Sequence, residues 1–428
     1  MIISPVTYDY YEISFILIVA AFSIPISRKS SMVYIPVLII MGLVFGPLLG
    51  FIKHSFAIYM LSSFATIGIG MLGLVIILYY ESHNFSPRIL RKYFTKILSL
   101  DTIGMVITAL VAGIFFSLLT GAPFIVGFIF GAIISPTDPA SLIPTFRKLN
   151  IRDDISGTLI GESLFNDPLG IILLSIGIGI IAPDVSYSSF FTLLTSHTGL
   201  ILGSGAFLIL EILIPAAVGI AFGFFIIYLN RYFNFESLLI ALTLGIVLFE
   251  FTSLEAAGIT PFPAIIATGA IVGNYSDKSI FWNRETNFNE NLSFMAQSII
   301  FILLGSILTR TQIFNYIILG FVIALLVIFV IRPLAVFISI GISDLGKNVI
   351  KFDLRTKTFM SLVGPRGVVP VVLSTVPFVI GEADHIPLLI EYGTTIYAAV
   401  SFVVLISIIL QTVYVPYVGR LLLGGAKH

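Results

Sequence analysis

Residues 131–170, GAIISPTDPASLIPTFRKLNIRDDISGTLIGESLFNDPLG, place prolines and acids inside two apolar stretches, where an oily interior should exclude them. Pro136 and Pro139 each lack an N–H and clash with the preceding turn, so a helix entering near Phe124 cannot continue unbroken through Asp138. The backbone groups freed there need partners. Irregular backbone survives at membrane depth only when it is buried in protein or lines a wet cavity. In the second stretch Glu162 and Asn166 are four apart, as are Ser163 and Asp167, so all four oxygen-bearing side chains share one stripe of helix. An oxygen-rich stripe of this kind suits small hard cations. Acids inside membranes are costly and mark an ion or proton path.

The membrane setting follows from composition. Of 428 residues 58% are hydrophobic and 10% charged, against about 25% charged in soluble chains. No n-region and cleavage site open the chain, so no cleaved signal peptide is expected. The absence of cysteine removes disulfides and thiolate metal sites, and the five histidines lack metal-ligand spacing. Phosphate loops and nucleophile elbows are also absent, so neither an enzyme nor a bound cofactor is expected, and nothing suggests a nucleic-acid partner.

At roughly twenty apolar residues per span, the pattern predicts an all-α polytopic membrane protein with thirteen transmembrane helices. They fall near 11–27, 32–51, 58–81, 98–119, 122–146, 155–182, 198–229, 235–252, 258–275, 291–309, 313–340, 357–378 and 393–419. With the N-terminus outside, eighteen of the 22 Lys and Arg residues lie in inner loops or the C-terminus, including Arg88 to Lys96, Lys278, Lys347 and Lys427. Only Lys53 and Arg310 lie outside, a positive-inside bias that makes the C-terminus cytoplasmic.

The last two, Arg332 and Arg366, lie within spans. Arg366 sits in GPRGVVP, where Gly364, Pro365, Gly367 and Pro370 interrupt the twelfth span much as SPTDP interrupts the fifth. These spans are seven apart and cross in opposite directions, the pattern of an inverted-repeat transporter with its site where the breaks meet. Asp138 is placed to offset the positive half-helix N-termini there and Arg366 the negative C-termini. Glu162 and Arg332 lie at equal depth, roughly 10–12 Å from the inner ends of their spans, so they are expected to form an ion pair.

Five stretches occur together and in order: LDTI at Asp101, SPTDPASLIP at Asp138, GESLFNDPLG at Glu162 to Asp167, IRPLAVF at Arg332 and GPRGVVP at Arg366. Jointly they resemble the cation/proton antiporter superfamily, and specifically its NhaP-like branch, which is related to eukaryotic sodium/proton exchangers. The resemblance covers essentially the whole chain. It implies a homodimer in which a core domain, spans four to six (98–182) and eleven to thirteen (311–428), moves like an elevator. The core would slide against a dimerisation domain of spans one to three (1–97) and seven to ten (183–310).

The resemblance also implies residue roles. Asp167 would be the principal ion- and proton-binding carboxylate, with Asp138, Ser163 and the Thr137 carbonyl as further ligands of a transported Na⁺. Asn166 stands where electrogenic relatives carry a second aspartate, which implies electroneutral one-for-one exchange with H⁺ and a part in pH homeostasis at the cell membrane. Li⁺ and K⁺ are the alternative ions. Glu162 and Arg332 match the family's structural ion pair. Glu81, in YYESHNF, stands where some relatives carry a ligand-bearing acid, although the glycines and second acid of that segment are missing. It is either a polar lining of the ion funnel or an interfacial charge beside Arg88.

Other buried charges read as structural. Asp101, just after the Arg88 to Lys96 cluster, is expected at the inner boundary with a basic partner. Glu211 and Glu250 are expected at helix contacts or boundaries, and His83 is a pH-sensing candidate near the inner face. A cation channel and an intramembrane aspartyl protease are the readings from other classes. The first lacks repeated filter segments, and the second lacks a G-x-G-D segment.

Overall fold

Prolines and glycines cut the chain into helices and leave no strand among the residues described by the computed structural model, 5–30, 33–62, 69–83, 85–183, 189–277, 279–346 and 351–424. The chain begins with α1 (Pro5–Ser30), α2 (Tyr34–Leu43), α3 (His54–Ser62) and α4 (Ile69–His83). α5 (Pro87–Ser99) continues into α6 (Met105–Thr120) through a widened turn at Leu100–Gly104, and α7 (Phe124–Ile134) stops at the first break. α8 (Ile143–Lys148) and α9 (Asp153–Ile181) follow. The middle of the chain holds α10 (Ser189–Thr198), α11 (Leu200–Phe233), α12 (Leu239–Ala256), α13 (Phe262–Tyr275) and α14 (Ile280–Ser306). α15 (Arg310–Leu326) joins α16 (Arg332–Ser343) through another wide turn, and α17 (Leu354–Ser361), α18 (Val368–Ser374), α19 (Val376–Asp384) and α20 (Pro387–Leu423) complete the order.

Among the described residues, seven helical stretches are long and apolar enough to cross a membrane, and Tyr34–Leu48, Phe124–Ile134 and Phe262–Tyr275 are shorter apolar helices. The helices follow the order of the predicted spans, but several begin earlier. Helix starts at Pro87, Ile280 and Pro387 precede the expected 98, 291 and 393. Hydropathy ends a span at the first polar turns, whereas the hydrogen-bonded helix runs on through them. Residues 63–68 of the third predicted span, with Lys278, Lys347 and Lys427, lie outside the described residues.

Two packing groups are visible. α5 to α9 pack on α16, α17, α18 and α20, while α4 and α11 to α14 pack mainly among themselves with α1 to α3. Small residues bring the helices of the first group close. A Cβ on Gly131 would fall 2.0 Å from the Ala109 carbonyl oxygen, so α7 lies directly against α6.

The breaks in α7–α8 and α17–α18 meet, and each supplies what the other lacks. Asp138 N–H donates to the Pro365 carbonyl at 2.8 Å. Gly367 lies against Asp138, and a Cβ there would fall 2.3 Å from the Asp138 Cβ. Three further groups at the second break bond to one face of α20. Gly364 N–H donates to Gln411 Oε1 at 2.8 Å, Arg366 N–H to Ser407 Oγ at 3.1 Å, and Tyr414 Oη–H to the Leu362 carbonyl at 2.6 Å. Backbone that lipid could not satisfy is thereby satisfied inside the protein.

Candidate functional site

α9 runs through Pro168 without stopping and carries the oxygen-bearing stripe past the first break. Glu162 and Asn166 are 2% and 1% exposed, and Ser163 and Asp167 7% and 6%, so the whole stripe is withdrawn from lipid. The four side chains divide the work. Glu162 meets Arg332 as the matched depths predict: Arg332 Nη2 donates to Oε2 at 2.8 Å, Nη1 donates to Oε1, and Nε donates to the Val363 carbonyl at 3.2 Å. The pair therefore anchors α9 and α16 to the second break.

Asn166 turns to the first break. Its Nδ2 donates to Thr137 Oγ1 at 3.0 Å and to the Thr137 carbonyl at 3.3 Å. That carbonyl is already engaged by the amide, so any ion it helps to hold shares it with Asn166. Arg366, 1% exposed, donates from Nη1 to the Ser135 and Pro136 carbonyls at 2.7 and 3.1 Å, offsetting the negative end of α7 as its sequence position suggests. Asp138 sits opposite, with Oδ2 2.5 Å from where a Cβ on Gly367 would stand, just before α18 begins.

A cavity of about 1160 Å³ reaches this crossing from the end of the bundle that carries Arg147, Asn150 and Asp153. Asp138, Ser163 and Glu81 line it, and Asp167 lies one helical turn beyond Ser163. Glu81, Asp138 and Asp167 lie within electrostatic range of one another. Glu81 thus reaches the cavity, rather than an interfacial position beside Arg88. Two carboxylates and a hydroxyl, Glu81, Asp138 and Ser163, line this space, with Asp167 a turn further along α9 and Thr137 next to Asp138, a donor set of hard oxygens.

Asp101 departs from expectation. It is 2% exposed, and neither of its oxygens has a hydrogen-bond partner among the described residues. Its helix begins at Pro87, so it lies fourteen residues in, roughly 21 Å along the axis at 1.5 Å per residue. Lys96, the expected kind of partner, pairs with Asp344 instead. Asp101 stands near Glu162, Arg332 and Asp167 and is a neighbour of the site rather than a boundary charge. Glu211 and Glu250 are at helix contacts as expected: Glu211 accepts from Thr260 N–H at 2.6 Å and Glu250 from Thr268 Oγ1 at 2.8 Å. His83 Nε2 lies 3.2 Å from Thr286 Oγ1.

Two further sets of residues shape the site without standing in any of the five stretches. Ser407, Gln411 and Tyr414 hold the second break, and their i, i+4, i+7 spacing in an apolar helix was a usable signal. Tyr34 and Gln297 line the cavity opposite Asp138, but each is a lone polar residue without a motif.

Crossed, interrupted helices with carboxylates at the end of a polar cavity define a secondary transporter embedded in the membrane by many spans. Residues 16–420 match the family described as sodium/hydrogen exchanger, transmembrane, and the chain belongs to that family. It is 29% identical over 422 residues to Na(+)/H(+) antiporter 1 of Methanocaldococcus jannaschii, covering 94% of this chain and 93% of the relative. It is also 28% identical to the K(+)/H(+) antiporter NhaP of Alkalimonas amylolytica, covering 80% of this chain and 55% of that protein. The solved structure of the sodium proton antiporter MjNhaP1 from Methanocaldococcus jannaschii at pH 8 superposes with a TM-score of 0.82 and 28% identity, over 96% of this chain and 97% of that one.

Proposed function

We propose that the protein is an electroneutral antiporter exchanging one Na⁺ for one H⁺, the two competing for Asp167 and Asp138. The observation that carries this reading is the division of labour along α9. Glu162 is neutralised by Arg332 and Asn166 is committed to Thr137, which leaves Asp167 as the carboxylate of the stripe available to a proton or cation. A deprotonated Asp167 binds Na⁺ with Asp138, Ser163 and the Thr137 carbonyl, and a protonated one returns without it. Burying either carboxylate bare is disfavoured, so the empty, uncompensated site does not cross.

The packing groups support a moving part of spans four to six and eleven to thirteen and a stationary part of the rest, the latter forming the contact of a homodimer. The protein would lie in the cell membrane among lipids, N-terminus outside and C-terminus cytoplasmic. The test is a proteoliposome assay with a trapped pH-sensitive dye and pulses of Li⁺, Na⁺ and K⁺. Na⁺-driven proton movement that saturates supports the reading. Response to K⁺ alone would favour the activity named for the Alkalimonas relative, and single-channel currents would replace exchange with conduction.

A further inference from the structure

Two residues outside the family-like motifs stand on the cavity wall that faces Asp138 and Ser163: Tyr34 at the start of α2 and Gln297 in α14. Tyr34 Oη–H donates to Gln297 Oε1 at 3.1 Å, and Gln297 Nε2–H reaches Glu81 Oε1 at 3.4 Å. Chemistry sets the direction of this chain. An amide nitrogen only donates and a phenol hydroxyl donates readily to an amide oxygen, so the nitrogen of Gln297 faces Glu81 and its oxygen takes the phenol. Gln297 is 8% exposed, with its amide at the edge of the cavity. α14 is also pressed against α4: a Cβ on Gly73 would fall 3.0 Å from Ile300 Cδ1. The helices bearing Gln297 and Glu81 thus hold a fixed spacing.

We propose that Gln297 is a specificity-determining positioning residue, which, braced by Tyr34, holds one oxygen of Glu81 and leaves the other to the cation that enters between Glu81 and Asp138. The proposal rests on the antiport reading above. Li⁺, Na⁺ and K⁺ carry the same charge and differ in size, so a site tells them apart by where its oxygens stand and how firmly they are held. A carboxylate free to swing adapts to any of them. One oxygen tied to a buried amide limits that freedom, and the tie comes from the wall opposite Asp138. The Tyr34 phenol braces the amide and also lies within electrostatic range of Asp138 and Glu81.

The experiment measures cation-dependent exchange in proteoliposomes for wild type, Gln297→Leu, Tyr34→Phe, Glu81→Gln and their pairwise combinations. Gln297→Leu is expected to raise the apparent KM for Na⁺ by about three- to tenfold, the loss of one hydrogen bond of ordinary net strength. Maximal rate should stay within about twofold, since ground-state and crossing states lose the contact alike. The preference between Na⁺ and K⁺ should narrow. Tyr34→Phe should act in the same direction but less, and the Tyr34→Phe, Gln297→Leu double should fall short of the two single effects combined. In a Glu81→Gln background, Gln297→Leu should change nothing further. Additive effects of Tyr34 and Gln297, an unchanged KM, or a fall in maximal rate alone would overturn the proposal. Should Gln297→Leu fold poorly, Tyr34→Phe removes a single oxygen and carries the same test, with no KM change as the overturning result. A wild type that moves no protons on any cation pulse defeats the antiport reading itself, whereas an active wild type with additive variants defeats only this inference.

Discussion

Arg332 meets Glu162 fork to fork, Nη2 to Oε2 at 2.8 Å, and the same guanidinium holds the Val363 carbonyl at the second break. The two residues are 170 apart in sequence and both nearly fully buried, so the pair fastens the two halves of the chain at the level of the site.

Breaking this pair from one side leaves a charge without its counterion. Glu162→Gln and Arg332→Met are each expected to cost about 3–5 kcal/mol. The double variant should cost clearly less than the sum, because the second change removes the stranded charge. Chemical or thermal melts of the purified variants read this directly, and additive losses would mean that the residues do not act as a pair.

The crossing of the breaks leaves no room at Gly367, where a Cβ would fall 2.3 Å from that of Asp138. Gly367→Ala should therefore destabilise by about 1–3 kcal/mol through overpacking and depress exchange with it. Gly341, inside α16, has nothing within 4 Å of its would-be Cβ. Gly341→Ala is expected to leave transport unchanged and to stabilise by about 0.5–1 kcal/mol. Equal melting temperatures for the two variants would contradict this packing.

Outside the spans, Asp344 bonds Lys96 and Lys357, which ties the end of α16 to α5 and α17. Burial pushes its carboxyl up, but hydrogen bonds and charge from Lys357 and Lys96 outweigh that and hold it below the ordinary aspartate range. A carboxyl lowered on folding contributes stability above its unfolded pKa and loses it as pH falls through the folded one. Asp344→Asn should thus melt lower than wild type at neutral pH, and the gap should close below about pH 4. A gap that persists in acid would assign the residue a role other than charge.

Much of this site is legible in the sequence because its logic is local. Four-residue spacing puts Glu162, Ser163, Asn166 and Asp167 on one stripe, prolines announce both breaks, and the scarcity of charge in the spans leaves Glu162 few partners but Arg332. Illegible were the contacts that depend on which helix lies beside which. Lys96 finds Asp344, 248 residues away, rather than nearby Asp101, because the helix holding both begins at Pro87 and carries Asp101 deep into the bundle. Gln297 in α14 finds Glu81 in α4 with no motif to mark the Gln297 end of the contact.

Stoichiometry tests the role of Asn166. Its amide is bonded to Thr137, and an amide cannot titrate, so the exchange should be one for one. With voltage clamped by K⁺ and valinomycin, the Na⁺ gradient that balances a given pH gradient should not move as the imposed potential is varied. A shift with voltage would mean that a further charge crosses. Asn166→Asp should first lose the bond to the break, and its effect on charge count is read by the same clamp.

Competition at Asp167 is tested most directly by proton release on ion binding. The purified protein in weakly buffered detergent with a pH indicator is titrated with NaCl, and choline chloride serves as the control. Cation binding to a protonated carboxylate expels its proton, so wild type is predicted to release up to about one proton per protomer. Asp167→Asn, folded by its melting curve, is predicted to release none. Na⁺ binding to wild type without release, or undiminished release from Asp167→Asn, would contradict exchange at this carboxylate.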